Sequence, residues 1–171
     1  EVAREEPCLM RTNLTGAPLY YDCSTDDARL TLETGLDAAA SGAVVLTYAK
    51  ATTFITDDKG RMCGALIEDQ VSGTVKQVKA KVVVNATGPW TDKTVALAEG
   101  GTNQPVLRPT KGVHIVVKRT LLPINAAVVM LHPIDQRVLF AIPWGDCAYI
   151  GTTDTDYDGD PSAVYATVED V

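Results

Sequence analysis

A cation, a glycine and an imidazole fall within seven residues in the segment from Arg108 to His114. Imidazole has an unperturbed pKa of about 6.5, so a histidine can accept a proton near neutral pH. Alternation along the strand that follows places His114 on the face opposite Val113 and Ile115. The residues alone leave two interpretations open: a general base, or a histidine in the core or on the face of a sheet that is hydrogen-bonded to a carbonyl.

A second polar group stands where another β-rich run ends, at Gly151 to Asp154. Thr152 and Thr153 supply hydroxyl groups, and Asp154 supplies a carboxylate. These groups can cap a turn, or they can form hydrogen bonds with a substrate that carries hydroxyl groups. Both roles stay open on local sequence.

Composition limits the class of protein to which these groups belong. The chain has 171 residues, of which 46% are hydrophobic, and 15 Lys and Arg against 22 Asp and Glu give a net charge of −7. This is the composition of one globular domain or of part of a larger one, and its acidity argues against nucleic acid as a partner. No apolar run approaches the roughly 18 residues that cross a bilayer, and the first residues lead us to expect no export signal.

Cysteine and histidine are sparse and scattered along the chain. The four cysteines form no C-x-x-C pair, and only two histidines are present. A metal site would therefore need ligands from distant parts of the sequence. We expect a cytoplasmic protein with reduced thiols and no metal.

Periodicity predicts the elements of the first half of the chain. Ser24 or Thr25 is expected to cap a helix that Gly42 closes. The β-branched run Ala43 to Tyr48 is expected to form a buried strand after it. Two polar turns within residues 51–79 predict an antiparallel meander.

The run Lys81 to Asn85 (KVVVN) is predicted to form a further buried strand, which ends at the glycine-containing loop Ala86 to Trp90. A helix is predicted next, over Thr91 to Glu99. A loop between a buried strand and a helix is the usual ligand site of an open α/β sheet. The sequence therefore predicts a ligand at this loop.

From Gly112 onward, the chain is predicted to be mostly β. Four short runs separated by Pro, Asp and Gly indicate a second antiparallel sheet. Asp160 and Pro161 then predict the first turn of a helix, which the sequence leaves incomplete. No G-x-G-x-x-G motif occurs, so we expect the phosphate-cradling turn of a dinucleotide site to lie upstream, in a longer two-domain α/β protein.

Four motifs, in this order and spacing, resemble the FAD-dependent, quinone-linked glycerol-3-phosphate dehydrogenases. They are N-A-T-G-P-W at 85–90, K-G-V-H-I-V-V at 111–117, I-P-W at 142–144 and G-T-T-D at 151–154. The segment Tyr21 to Leu30 is also similar to that family, and the resemblance covers roughly residues 20 to 162.

The resemblance implies hydride transfer from C2 of sn-glycerol 3-phosphate to FAD, which yields dihydroxyacetone phosphate. It implies that His114 takes the proton of the C2 hydroxyl group as the hydride leaves. It also implies that Thr152 and Thr153 orient the substrate. Asp154 would hold the turn that carries them.

The remaining site residues also follow from the resemblance. Lys111 and Arg108 match cationic positions near the substrate. FAD would sit beside the end of the KVVVN run, and His114 would point into the same cleft. The loop against FAD would consist of Ala86, Thr87, Gly88, Pro89 and Trp90.

The resemblance further implies a layout. Residues 1–50 would belong to the FAD-domain side, 51–80 to a meander, 81–100 to the strand and loop at the FAD site, and 101–171 to the substrate domain. The expected fold class is α/β of mixed α+β type: an antiparallel substrate-domain sheet with a few strands of an FAD-binding domain.

Partners and alternatives complete these expectations. Electrons would pass to a quinone, from a cytoplasmic position peripheral to the inner membrane, and this chain by itself would be inactive. Two alternatives stay open: a glycerol-3-phosphate oxidase, which passes the electrons to oxygen, and a non-catalytic binding domain.

Overall fold

A computed structural model describes residues 2–101 and 104–170, and these form two compact units. One unit runs up to Tyr20 and resumes at Arg108, and the other spans Tyr21–Leu107. The helices are α1 (Val2–Glu5), α2 (Asp27–Ala40) and α3 (Thr91–Glu99). The strands are β1 (Ala49–Thr56), β2 (Met62–Asp69), β3 (Val75–Lys79), β4 (Thr110–Lys111), β5 (Ile115–Lys118), β6 (Val128–Leu131), β7 (Val138–Trp144), β8 (Cys147–Gly151) and β9 (Thr155–Asp156).

The unit Tyr21–Leu107 contains the predicted meander, which is confirmed as an antiparallel sheet in the order β1-β2-β3. Its first turn is closed by the carboxylate of Asp57, which accepts hydrogen bonds from the backbone N–H groups of Lys59 and Arg61. The guanidinium of Arg61 also donates to Asp57, and these bonds lower the pKa of that carboxyl. The aspartate that marks this turn in the sequence therefore also closes it in the structure, and the closed turn helps to fix how β1 pairs with β2.

The predicted helix after residue 25 is confirmed as α2, but its cap is Asp26 and not Ser24 or Thr25. The Asp26 carboxylate accepts a hydrogen bond of 3.1 Å from the backbone N–H of Arg29. An ionised carboxylate at this position satisfies a free N–H group and also faces the positive end of the helix dipole, which explains the preference for aspartate. The prediction of α3 over Thr91 to Glu99 is confirmed as well.

Two predicted strands, Ala43 to Tyr48 and Lys81 to Asn85, are wrong. Both segments have irregular backbone, and within the described residues neither pairs with a strand. Val82 and Val84 are 74% and 79% exposed. A strand requires a neighbouring strand to bond its N–H and C=O groups, so apolar composition alone does not make one.

The other unit contains a four-stranded antiparallel sheet in the order β5-β8-β7-β6, which confirms the second predicted sheet. Residues that pair directly across an antiparallel ladder share a face. One face packs on Ile124, Ala141 and Ala148, which are almost fully buried. The opposite face carries Phe140 and Tyr149, and Phe140 is 40% exposed. The mixed α/β fold class with antiparallel sheets is thereby confirmed.

Ile124 is held in place by the N-terminal segment. The Glu6 carboxylate, which is buried, accepts hydrogen bonds from the backbone N–H groups of Asn125 and Ala126. The Asn125 side chain donates in return to the carbonyl of Glu5. Because a buried carboxylate is tolerated only when it is hydrogen-bonded, these contacts fix α1 against the loop that supplies the core isoleucine.

The predicted C-terminal helix is wrong in extent. Asp160 does cap a turn, since its carboxylate accepts a hydrogen bond of 3.0 Å from the N–H of Ser162. The turn, however, is a single 3-10 turn over Pro161–Ala163, and Val164 returns to extended backbone. A short helix is marginal unless a packed apolar face supports it, and Val164 and Tyr165 are exposed.

Candidate functional site

His114 stands immediately before β5, on the face of the sheet opposite the core. The ladder pairs Ile115 with Ile150, so one step further along the same register brings His114 opposite Gly151. The ring of Tyr149 meets the imidazole edge to face, with 5.2 Å between centroids and 70° between planes. Tyr149 therefore limits the orientations that the imidazole can take.

Gly151 has a steric reason to be glycine. A Cβ atom at this position would overlap the ring of His114. The imidazole therefore lies directly over the backbone of β8, which is possible only without a side chain there. His114 is exposed, and within the described parts of the chain its ring has the edge contact with Tyr149 but no hydrogen bond. The interpretation as a histidine bonded to a carbonyl therefore does not hold in this structure.

The two predicted motifs, K-G-V-H and G-T-T-D, are joined by a hydrogen bond. The hydroxyl of Thr153, which is buried, accepts a bond of 3.0 Å from the backbone N–H of Val113. The hydroxyl of Thr152 donates to the carbonyl of Thr153. Thr153 therefore ties the segment between β4 and His114 to the turn after β8, while Thr152 is exposed at the surface.

Beside this tie lies an open hollow with a volume of about 540 Å³. Thr152 and Asp154 from the predicted site line it. Phe140, which pairs with Gly151 in the ladder, contributes an apolar wall next to the backbone that supports His114. The other lining residues are Asp135, Arg137 and Val138.

The two predicted cations are both engaged in ion pairs. The ammonium of Lys111 lies 2.7 Å from Asp170, and their side chains are only 11% and 6% exposed. This hydrogen bond, together with one from the N–H of Thr167, lowers the pKa of Asp170 to about 2. Arg108 makes an exposed pair of 2.7 Å with Asp156, and its hydrogen bond lowers the pKa of that carboxyl.

In the unit Tyr21–Leu107, the predicted cofactor loop is shaped by Asn85. Its side-chain oxygen accepts hydrogen bonds from the N–H and the hydroxyl of Thr87, and its amide donates to the carbonyl of Thr91. Gly88, Pro89 and Trp90 form one 3-10 turn that leads directly into α3. The loop is thus built by local bonds although no strand of the described chain leads directly into it.

Several residues at these places escaped the sequence interpretation. Tyr149 follows from the pairing of β5 with β8, which the alternation of both runs could have suggested. Arg137 and Asp135 precede β7 and resemble an ordinary turn in sequence. Asp170 is separated from Lys111 by 59 positions, and no local pattern connects them.

No helix in the described residues is long and apolar enough to cross a membrane. Across residues 2–101 and 104–170, no group of three or more His, Cys, Asp or Glu side chains could hold a metal ion.

Comparison with known families agrees with this arrangement. Residues 1–171 match the model of the family described as FAD dependent oxidoreductase (DAO). The chain belongs to the FAD-dependent oxidoreductase family. The resemblance drawn from the four motifs is therefore confirmed at the level of the family, and relatives and a solved structure carry it further.

The aerobic glycerol-3-phosphate dehydrogenase of Staphylococcus haemolyticus (strain JCSC1435) is 39% identical over 99% of this chain and 30% of its own length. The alpha-glycerophosphate oxidase of Streptococcus pyogenes serotype M1 is 40% identical over the whole chain and 28% of its own length. This chain therefore spans less than a third of these curated relatives.

A solved structure gives the same result. The X-ray structure of the glycerol-3-phosphate dehydrogenase from Bacillus halodurans complexed with FAD is 43% identical in sequence and superposes with a TM-score of 0.90. The match covers 98% of this chain and 34% of that one. The sequence resemblance to FAD-linked glycerol-3-phosphate dehydrogenases is thereby confirmed, and FAD is the cofactor of the family.

The predicted cofactor loop of this FAD-dependent oxidoreductase fits a flat cofactor. Gly88 has a φ of +55°, and no atom lies within 4 Å of the place where a Cβ would stand. The residues from Ala86 to Trp90 are exposed. A ring system can therefore approach this backbone closely. The roles of the individual site residues, and the division into four segments, remain predictions.

Proposed function

We propose that the full-length protein carrying this chain oxidises sn-glycerol 3-phosphate to dihydroxyacetone phosphate with FAD. The observation that supports this most is the exposed imidazole of His114, which Tyr149 orients over Gly151 and which makes no other bond among the described residues. An imidazole held in this way is ready to accept a proton from a substrate hydroxyl group. The names of relatives about 40% identical to this chain point to the same substrate.

In this reaction the C2 carbinol loses two hydrogens, one as a proton and the other as a hydride. A ring nitrogen of His114 takes the proton from the C2 hydroxyl oxygen, while the C2 hydrogen departs as hydride and C2 becomes a carbonyl. When bound, FAD supplies the acceptor for that hydride. The other residues of this chain position the substrate and the base.

Thr152 and Asp154 would form hydrogen bonds with the hydroxyl groups of the substrate, and the hollow next to Gly151 that both residues line supports this role. Thr153 acts indirectly, because its hydroxyl is engaged by Val113 and so keeps His114 in register with the turn. Lys111 and Arg108 contribute positive charge near this turn, although their closest partners are Asp170 and Asp156.

Residues Ala86 to Trp90 would hold FAD by backbone contact, with Gly88 at the point of closest approach. The electrons would then pass to a quinone at a membrane surface, from a cytoplasmic protein that docks peripherally on the inner membrane. An oxidase that passes electrons to oxygen is the second candidate, and the oxidase named among the relatives favours it.

The test uses the purified full-length protein. Anaerobic addition of glycerol 3-phosphate should bleach the flavin absorbance near the visible maximum and should yield one dihydroxyacetone phosphate per flavin reduced. Absence of bleaching with a flavin-loaded protein would reject the proposed reaction. A soluble quinone should reoxidise the flavin rapidly, whereas stoichiometric hydrogen peroxide in air would assign the oxidase. The 171-residue chain alone should show negligible turnover and weak FAD affinity.

A further inference from the structure

The K-G-V-H and G-T-T-D motifs face each other with unequal numbers of residues. Lys111 pairs with Thr155 in the ladder of β4 and β9, and Ile115 pairs with Ile150 in the ladder of β5 and β8. Between these two pairs lie the last three residues of K-G-V-H on one side and all four residues of G-T-T-D on the other. An extra residue between two ladders has the effect of a β-bulge, which bends one strand and redirects its side chains.

Thr152 is the extra residue. The register places His114 opposite Gly151, which directly precedes Thr152. Directly after Thr152, the hydroxyl of Thr153 accepts the hydrogen bond from the backbone N–H of Val113. Thr152 therefore lies between two cross-strand contacts, and among the described residues it belongs to neither ladder.

Gly112 leaves the space that the Thr152 side chain takes up. A Cβ atom on Gly112 would lie 2.5 Å from the Oγ1 of Thr152 and 3.2 Å from the carbonyl oxygen of Thr153. Gly112 does not have a positive φ, so the requirement for glycine is steric and not conformational. At Gly151, in the same way, a Cβ atom would overlap the ring of His114. Each motif thus contributes a glycine that accommodates a side chain of the other motif.

These contacts set the place of the imidazole. Trp144 meets Tyr149 edge to face, with 6.1 Å between ring centroids, and Tyr149 meets His114 in the same manner. The two aromatic rings limit how the imidazole turns. Its distance from β8, however, depends on the backbone of K-G-V-H, which touches G-T-T-D at Gly112 two residues earlier.

We propose that Gly112 is a positioning residue for the general base. Its missing side chain lets Thr152 close against the backbone of K-G-V-H, and this contact fixes His114 over Gly151. The inference rests on the proposed function and adds a residue that acts on the reaction only through His114. A methyl group at position 112 would separate the two motifs and carry the imidazole away from its place.

The experiment is a double-variant cycle in the full-length, flavin-loaded protein. Gly112→Ala should lower kcat with glycerol 3-phosphate about 10- to 100-fold, because a displacement of about 1 Å is enough to misplace a reacting group. Thr152→Ala removes the oxygen that the new methyl group would meet, and the closest remaining contact is then 3.2 Å. The kcat of Gly112→Ala/Thr152→Ala should therefore lie within about threefold of that of Thr152→Ala alone. Gly16→Ala, where the added methyl group meets no atom within 4 Å, is the matched control and should keep the wild-type kcat.

Thr153 provides a second test that leaves both glycines in place. Thr153→Val keeps the shape of the side chain but leaves the N–H of Val113 without its acceptor, so kcat should fall about 10-fold. Thr153→Ser keeps the hydroxyl, and its kcat should stay within about threefold of the wild type. Equal losses in the two variants would contradict the coupling of the two motifs.

A spectroscopic measurement separates this inference from the proposed function. In protein labelled with ¹³C-histidine, the ring signal of His114 is assigned by its loss in His114→Gln. That signal should shift in Gly112→Ala and should return in the double variant to its position in Thr152→Ala, whether or not the protein oxidises glycerol 3-phosphate. The expected shifts without any oxidation by the wild type would reject the proposed function alone.

Three results would overturn the role of Gly112. The first is an unchanged kcat and ring signal in Gly112→Ala. The second is a double variant whose kcat is no higher than that of Gly112→Ala. The third is a loss of activity that only follows a loss of bound flavin or of the thermal midpoint, because that would indicate a structural role. Flavin absorbance and thermal unfolding are therefore measured for every variant.

Discussion

Two segments of this chain carry nearly the same sequence signal and fold differently. The run Lys81 to Asn85 and the run from Val113 to Lys118 are both short, rich in β-branched residues and next to a glycine-containing motif. Only the second forms a strand, because β8 lies beside it and accepts its backbone hydrogen bonds. The first has no such neighbour among the described residues and stays irregular and exposed.

The difference teaches how each predicted site acquires its shape. The loop Ala86 to Trp90 is built locally, by hydrogen bonds from Asn85 to groups within a few residues. His114 is positioned by Tyr149 and Gly151, which lie more than thirty positions away in sequence. A local site can persist without its strand, whereas the imidazole depends on the whole ladder.

The largest effect expected concerns the imidazole. His114→Ala in the full-length protein should lower kcat by about 10² to 10⁴, the usual contribution of a general base, because the C2 hydroxyl proton loses its acceptor. Flavin content should stay within error of the wild type, since the cofactor loop belongs to a different segment. Steady-state kinetics and the flavin-to-protein absorbance ratio measure both. Unchanged turnover would remove His114 from this role.

Gly151→Ala tests how far His114 depends on the ladder, because it changes only the backbone position of β8 over which the imidazole lies. The added methyl group would overlap the imidazole ring, so the ring must move. A displacement of about 1 Å can reduce turnover roughly 10²-fold even though no reacting group is lost. Kinetics at saturating glycerol 3-phosphate should show the loss. Gly16→Ala is the matched control, because no atom lies within 4 Å of the place where its added methyl group would stand.

The contrast between a buried and an exposed apolar side chain predicts unequal stability effects in the 171-residue chain. Ile124→Ala should lower the free energy of unfolding by about 2–5 kcal/mol, because the side chain is almost fully buried. Val84→Ala should change it by less than about 0.5 kcal/mol, because that valine is 79% exposed. Urea unfolding followed by circular dichroism gives both values.

The same Val84→Ala change tests whether the run becomes a strand in the longer protein. If the full-length protein pairs and buries residues 81–85, the substitution should there lower the free energy of unfolding by more than about 1 kcal/mol. An equally small effect in both proteins would mean that the run remains exposed.

A pH dependence of stability is expected from the ion pair of Lys111 and Asp170. The hydrogen bond from Lys111 lowers the pKa of Asp170 to about 2 in the folded chain, against about 3.9 when unfolded. A lowered folded pKa adds stability above the unfolded value, and that stability is lost as the pH falls from about 4 to about 2. Asp170→Asn should therefore flatten the decline in unfolding free energy over this window, measured by urea titration at each pH. An unchanged decline would contradict the assignment.

Parts of the fold were predictable because their causes are local. The turn at Asp57 is specified by a carboxylate within a few residues of the N–H groups it bonds, and α2 by a capping aspartate and helical spacing. The same reasoning missed the end of the C-terminal turn after Ala163, since a capping residue starts a helix but packing must sustain it.

Some residues of the candidate site were likewise predictable from the sequence, and others were not. His114, Thr152 and Asp154 were visible as chemistry-bearing types in motifs that resemble a known family. Arg137 was not, because only the folded chain shows that it lines the same hollow as Thr152. Thr153 was assigned to the substrate on sequence, while the structure shows its hydroxyl engaged by Val113.

By itself, the sequence determined the residue types that can do the chemistry, the turns, the helix caps and the family. The tertiary structure alone decided which apolar runs became strands, which face His114 occupies, and which cation stands near the hollow. The physical reason is range: a cap or a turn is complete within a few residues, whereas a ladder hydrogen bond, a buried ion pair or the lining of a hollow requires a partner that only folding brings close.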